Sequence, residues 1–116
     1  MKPSSALVAF VALEHAGFFV LESFLFKTPL GLKIFKLTPE AAEANAVLAF
    51  NQGFYNLFLC AGLVWGLSAR SAPLQTFFLA CVLVAGLVGG ASASRSIFLV
   101  QALPAALALA LLRCGR

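Results

Sequence analysis

The chain has 116 residues, of which 62% are hydrophobic and only 10% are charged. A soluble domain of this size cannot bury so much apolar surface, because about a quarter of the residues in soluble domains are charged. The net charge of +4 is spread over the ends of apolar segments without a basic stripe, so nucleic acid is excluded as a partner and the lipid bilayer is expected.

Four apolar segments are each long enough to cross a bilayer as a helix. The predicted helices run over about residues 4–26, 39–67, 72–92 and 96–113. Because a bilayer offers no hydrogen bonds to the backbone, the segments are expected to be helical. Short joins between the later helices make consecutive helices antiparallel neighbours. The sequence therefore predicts an all-α membrane protein, a single integral membrane domain over residues 1–116 built as an antiparallel bundle of four transmembrane helices.

The first predicted helix carries Glu14, His15 and Glu22, which are the only histidine and two of the four acidic residues. A charge at the centre of a bilayer costs about 2.5–3.5 kcal/mol even on the lenient insertion scale, so ionisable groups there indicate function. His15 and Glu22 are seven residues apart and differ by only about 20° around the helix. Glu14 lies about 100° from His15, and it is interpreted either as a protonated acid that hydrogen-bonds a neighbour or as an additional site residue.

The connection between the first two helices has a pattern of its own. Thr28-Pro29 and Thr38-Pro39 each resemble a helix N-cap followed by proline at the first helical position. Between these caps, apolar residues fill one face and Lys33 and Lys36 another. Two interpretations remain open, a short helix that lies in the membrane interface and a plain loop whose lysines reach the headgroups.

The second predicted helix contains a polar cluster in the segment Asn51-Gln-Gly-Phe-Tyr-Asn56. Asn51 and Tyr55 share one face, and Gln52 and Asn56 share another, because each pair is four residues apart. Together these side chains cover about 140° of the helix. Amide and phenol groups at this depth must be hydrogen-bonded, either as contacts that hold helices together or as the lining of a site.

The polar groups lie at matching depths on three helices. Glu22 and Asn51 are both displaced toward the connection between the first two helices, and Gln101 lies about one and a half turns into the fourth helix from the same side. The sequence therefore predicts one ligand-binding or proton-responsive pocket with Glu14 as an additional candidate, lined by His15, Glu22, Asn51, Gln52, Tyr55, Asn56 and Gln101.

No metal or cofactor site is expected. His15 and Glu22 are roughly 10 Å apart along one helix, so they do not converge on one ion without other helices. The three cysteines form no CxxC pair, and phosphate loops, dinucleotide fingerprints and nucleophile elbows are lacking. The chain is not expected to be an enzyme, and an intramembrane enzyme with Glu22 and His15 as acid and base is a third interpretation.

The positive charges do not set a membrane orientation. Four lie on each side of the predicted bundle, namely Lys2, Arg70, Arg113 and Arg116 on one side and Lys27, Lys33, Lys36 and Arg95 on the other. The positive charges on the two sides are therefore equal in number, and the positive-inside rule predicts no orientation. Such a balance permits insertion in both orientations, and with it a homodimer of oppositely oriented copies.

The spacing His15-x₆-Glu22, the Leu-Thr-Pro-Glu segment that ends at Glu40 and the segment from Asn51 to Asn56 resemble a family of small bacterial four-span membrane proteins of unknown function. The resemblance covers nearly the whole chain, and the Asn-Gln-Gly-x-Tyr-Asn segment is its most specific part. It implies a multi-pass protein of the bacterial inner membrane and no particular activity.

Two classes of function are therefore considered. The first is a small transporter in which Glu22 and His15 respond to protons and the amides contact a small-molecule substrate. The second is a membrane binding or accessory protein that holds a lipid, a quinone or a partner helix.

Overall fold

The computed structural model describes residues 1–116 and is entirely helical, which confirms the predicted all-α class. Its helices are α1 Pro3–Ser23, α2 Pro29–Phe35, α3 Pro39–Ser68, α4 Ala72–Ser92 and α5 Leu103–Arg113, with a π-helical turn over Phe98–Ala102 before α5. By length and composition, α1, α3 and α4 are apolar enough to cross a membrane. The remaining apolar segment, Phe98–Arg113, is shorter than these three.

One predicted helix end differs from the structure by more than one residue. The first helix ends at Ser23 rather than at residue 26, because the Leu25 N–H donates to the Val20 carbonyl at 3.1 Å and the chain then turns. The fourth apolar segment is helical from residue 96, as predicted, and forms a π-helical turn from Phe98. A 3.1 Å bond from the Phe98 N–H to the Arg95 carbonyl closes its first turn.

The π-helical turn precedes Pro104. The Leu103 N–H donates to the Phe98 carbonyl, five residues earlier in the chain. Pro104 has no N–H to donate, and its ring crowds the carbonyl four residues before it, so a regular α-helical turn is disfavoured here. A wider turn is one of the ways in which helices accommodate such a proline.

The chain forms two compact units. The terminal unit comprises Met1–Leu13 and Leu59–Arg116, and its core is made of the buried side chains of Val8, Val11, Ala12, Leu63, Leu79, Val82, Ala105 and Ala108. Gly86 packs on Ala102, where a Cβ would lie 2.7 Å from the Ala102 backbone nitrogen. Close packing through small residues is typical of helices in membranes.

The central unit comprises Glu14–Phe58, which includes all of α2 and parts of α1 and α3. The Thr28 hydroxyl caps α2 by accepting from the Gly31 N–H at 3.3 Å, and Pro29 follows as predicted. Lys36 ends α2 in the left-handed conformation, with φ of 55°. Thr38 likewise caps α3, since its hydroxyl accepts from the Ala41 N–H at 3.1 Å. Of the two interpretations of this connection, the structure shows the short helix.

Candidate functional site

Within the central unit, α1 and α3 approach each other closely at Gly53. A Cβ at this position would overlap the Ser23 hydroxyl and lie 3.0 Å from the Phe19 carbonyl oxygen. The Ser23 hydroxyl donates to the Phe50 carbonyl at 2.9 Å. Phe50 and Gly53 are three residues apart and therefore lie on one face of α3. The missing side chain at Gly53 is what allows this face to contact α1.

Asn56 lies three residues after Gly53, and its side chain reaches Glu22. The Asn56 Nδ2 donates to the Glu22 Oε1 and lies 3.5 Å from the Gln52 carbonyl oxygen. Asn56 is only 7% exposed, and Glu22 is half-buried. A side-chain amide can donate to a carboxylate through nitrogen and accept from a carboxylic acid through oxygen. The Asn56 amide is therefore suited to a carboxyl group that changes its protonation state.

Glu22 also lines a cavity of about 540 Å³ at the end of α1. The other lining residues are Ser23, Phe24, Phe26, Lys27, Thr28, Ala46, Val47 and Phe50. Lys27 already has a partner, because its Nζ lies 3.3 Å from the Glu43 Oε2 in an exposed ion pair. A second cleft, of about 570 Å³, lies along the first turns of α3 and contains none of the predicted site residues.

Glu14 and His15 differ from Glu22 in their surroundings. His15 is fully buried, and its ring contacts Phe18 edge to face with the ring centroids 5.1 Å apart. The Glu14 Oε1 is buried and accepts no hydrogen bond in the structure. Of the two interpretations of Glu14, the hydrogen bond to a neighbour is therefore not made at this oxygen.

The remaining predicted residues do not line the cavity. Asn51, Gln52 and Tyr55 have exposed side chains, and the Tyr55 ring packs on Phe58 with the centroids 6.1 Å apart. Tyr55 and Asn51 lie about 100° and 140° from Asn56 around α3, so they point away from the Glu22 contact. Gln101 is half-buried in the π-helical turn of the terminal unit. A functional role for these four residues stays a prediction.

Three residues of this region were not predicted from the sequence, namely Ser23, Phe50 and Gly53. Ser23 is adjacent to Glu22 and bonds the backbone of α3. The available signal was Gly53 itself, because a glycine within a helical polar run indicates close approach of another element. Asn56 follows it at a spacing that places both residues on one face.

The comparisons with known proteins agree in describing proteins of unknown function. The family described as "Protein of unknown function (DUF1304)" matches residues 9–113, a range that contains the whole central unit. The chain is similar to the "Uncharacterized protein YpaA" of Lactococcus lactis subsp. lactis (strain IL1403), with 31% identity over 103 residues. That match covers 85% of this chain and 87% of the relative. No solved structure matches the chain.

Proposed function

This chain belongs to the protein family of unknown function DUF1304, and we propose that it is a proton-responsive membrane transporter of a small molecule that works through Glu22 and Asn56. The observation that carries the proposal is the hydrogen bond from Asn56 to Glu22 at the wall of a cavity of about 540 Å³. Glu22 lies in a helix that is long and apolar enough to cross a membrane. Ionisable groups in such helices mark ion and substrate pathways.

The proposed setting is the bacterial inner membrane, crossed four times. The fourth crossing is Phe98–Arg113, whose 16 residues reach about 24 Å at 1.5 Å per residue. A span that is a few Å shorter than the bilayer core is accommodated by local thinning and by terminal arginine side chains that reach the interface. The helix α2 then lies in the interface, with Lys33 and Lys36 at the headgroups. The balanced positive charges would also suit a homodimer of oppositely oriented copies.

In this mechanism, Glu22 takes up or releases a proton as the ligand leaves or enters the cavity. The Asn56 amide supports both states, since its nitrogen donates to the carboxylate and its oxygen accepts from the acid. His15, which is on the same helix, is the second proton-responsive candidate, and Glu14 an additional one. Asn51, Gln52, Tyr55 and Gln101 have no assigned part in this mechanism, because their side chains do not line the cavity.

The alternative function is a membrane binding or accessory protein that holds an apolar ligand. The rings of Phe24, Phe26 and Phe50 line the same cavity as Glu22 and favour this candidate, because ligand sites are mostly apolar with a few polar groups. Such a protein would bind its lipid, quinone or partner helix without carrying it across the bilayer. In that case Glu22 and Asn56 would serve as a structural contact between helices.

Chemical labelling with dicyclohexylcarbodiimide tests the proposal, because this apolar reagent modifies protonated carboxyl groups within membranes. We expect Glu22 to be labelled in proteoliposomes and the labelling to fall as the pH is raised, as read by mass spectrometry of peptides. Glu14 on the same helix reports whether the reagent reaches the apolar region, and the exposed Glu43 should remain unlabelled. Labelling of Glu14 without Glu22, or labelling of Glu22 that does not depend on pH, would contradict the proposal.

A further inference from the structure

We propose that the ligand of the Glu22 cavity is a lipophilic organic cation, that is, a positively charged ammonium or phosphonium group on an apolar body. This inference rests on the proposed proton-responsive function of Glu22 and names its substrate class. Three features of the cavity support it, namely its charge balance, the helix end beside it and its aromatic walls.

The charge balance of the cavity leaves one carboxyl group unmatched. Glu22 and Lys27 are the titratable side chains in its lining, and α2 and α3 contribute none to it. Lys27 is compensated by Glu43, which lies outside the lining at 3.3 Å. Asn56 hydrogen-bonds Glu22 but brings no charge. When Glu22 is ionised, it therefore has no ion-pair partner in the lining, and a cationic ligand complements its charge.

The backbone beside the cavity adds to the preference for a cation. The 21-residue helix α1 ends at Ser23, which lines the cavity. A helix C-terminus carries a partial negative charge equivalent to about half an elementary charge. The α2 N-terminus has the opposite sign, but Thr28 already engages it, since its hydroxyl accepts from Gly31 and donates to the Leu25 carbonyl at 2.5 Å.

The walls of the cavity fit an apolar body that carries a positive charge. Phe24 and Phe50 meet edge to face, with the ring centroids 6.3 Å apart and the planes at 89°. They are 60% and 44% exposed, so parts of both rings remain available to a ligand. The faces of aromatic rings attract cations electrostatically. The volume of about 540 Å³ lies within the range of about 300–1,000 Å³ that is typical of small-molecule sites.

Binding is then an exchange of a proton for a cation. In the empty cavity Glu22 carries a proton, which keeps the charge out of an apolar region. When the cation enters, this proton leaves to water and the carboxylate pairs with the ligand, so the net charge of the cavity is unchanged. No covalent bond of the ligand forms or breaks. The exchange predicts the release of about one proton for each cation bound.

Tetraphenylphosphonium is the probe for this inference, and tetraphenylborate is its control because it has the same shape and the opposite charge. With purified protein in a nonionic detergent, we expect calorimetry to show tighter binding of the phosphonium, with proton release detectable in weakly buffered solution. Glu22→Gln should weaken phosphonium binding at least about tenfold and leave borate binding unchanged. Glu40→Gln, in the first turn of α3 and outside the cavity lining, should leave both unchanged. Phe50→Leu should weaken phosphonium binding selectively.

Equal affinity for the two probes, or wild-type affinity for the phosphonium in Glu22→Gln, overturns the cation assignment. If the Glu22→Gln protein does not fold, the cation assignment is tested by two other measurements. These are phosphonium binding by Phe50→Leu and proton release by the wild type. Carbodiimide labelling distinguishes a failure of the proposed ligand class from a failure of the proposed proton-responsive function. Labelling of Glu22 that depends on pH, without selective phosphonium binding, retains the proton-responsive function and removes this ligand class. Labelling of Glu14 without labelling of Glu22 removes the proposed function itself.

Discussion

Replacing Gly53 with valine is expected to destabilise the central unit by about 1–3 kcal/mol, as overpacking of a close contact does. A Cβ here would overlap the Ser23 hydroxyl and lie 3.0 Å from the Phe19 carbonyl oxygen, which belongs to the α1 backbone and cannot move alone. Glycine inside a helix is otherwise less favourable than alanine by about 1 kcal/mol, so propensity alone predicts the opposite sign. The free energy of unfolding can be measured by steric trapping in lipid bicelles.

Gly17 on α1 provides a matched control for this substitution. Nothing lies within 4 Å of a Cβ built at Gly17, so Gly17→Val should leave the free energy of unfolding near the wild-type value. Adding Ser23→Ala to Gly53→Val removes the nearest clashing atom and should recover part of the loss. If Gly53→Val were as stable as the wild type, α1 and α3 would not approach each other at this residue.

Replacing Asn56 with leucine is expected to destabilise the protein by about 1–3 kcal/mol, because the Glu22 Oε1 loses its donor in a half-buried position. Leucine is close to asparagine in size, so the change mainly removes hydrogen bonding. Gln52→Leu is the control, since it replaces an exposed amide one turn earlier on α3 and should change stability by less than about 0.5 kcal/mol.

A double-mutant cycle distinguishes a lost donor from general disruption. Glu22→Leu combined with Asn56→Leu replaces both polar partners with apolar side chains, which is nearly neutral when no polar group is left unpaired. We therefore expect the double variant to be more stable than Asn56→Leu alone. Losses that simply add would show that the two side chains are not coupled in the folded protein.

Most of the helices could be predicted from the apolar runs, because lipid permits only internally bonded backbone over such lengths. The predicted range of α4 agrees with the structure, and α3 is one residue longer than predicted. The caps at Thr28 and Thr38 were predicted from their side-chain chemistry. The π-helical turn at Phe98–Ala102 was not predicted. Hydropathy is the same whether a backbone N–H donates to the carbonyl four residues earlier or five residues earlier.

The contact between Glu22 and Asn56 was predicted only as one among several pairings. Spacing places Asn51, Gln52, Tyr55 and Asn56 on a broad arc of α3, and it does not say which edge of that arc meets α1. In the structure, Gly53 is the residue of α3 that contacts Ser23 on α1. Asn56 lies on the same face of α3 as Gly53, and its side chain therefore reaches Glu22. A polar arc alone was therefore insufficient, and a glycine within it was the more specific signal.

The central claim is that Glu22 exchanges a proton while it is hydrogen-bonded to Asn56, and infrared difference spectroscopy in lipid tests it most directly. During a titration from alkaline to acid pH, the wild type should gain a protonated-carboxyl C=O band that is missing in Glu22→Gln and retained in Glu14→Gln. In Asn56→Leu the same band should shift in frequency, because the carboxyl group has lost its amide partner. A wild-type band that persists unchanged in Glu22→Gln would contradict the claim.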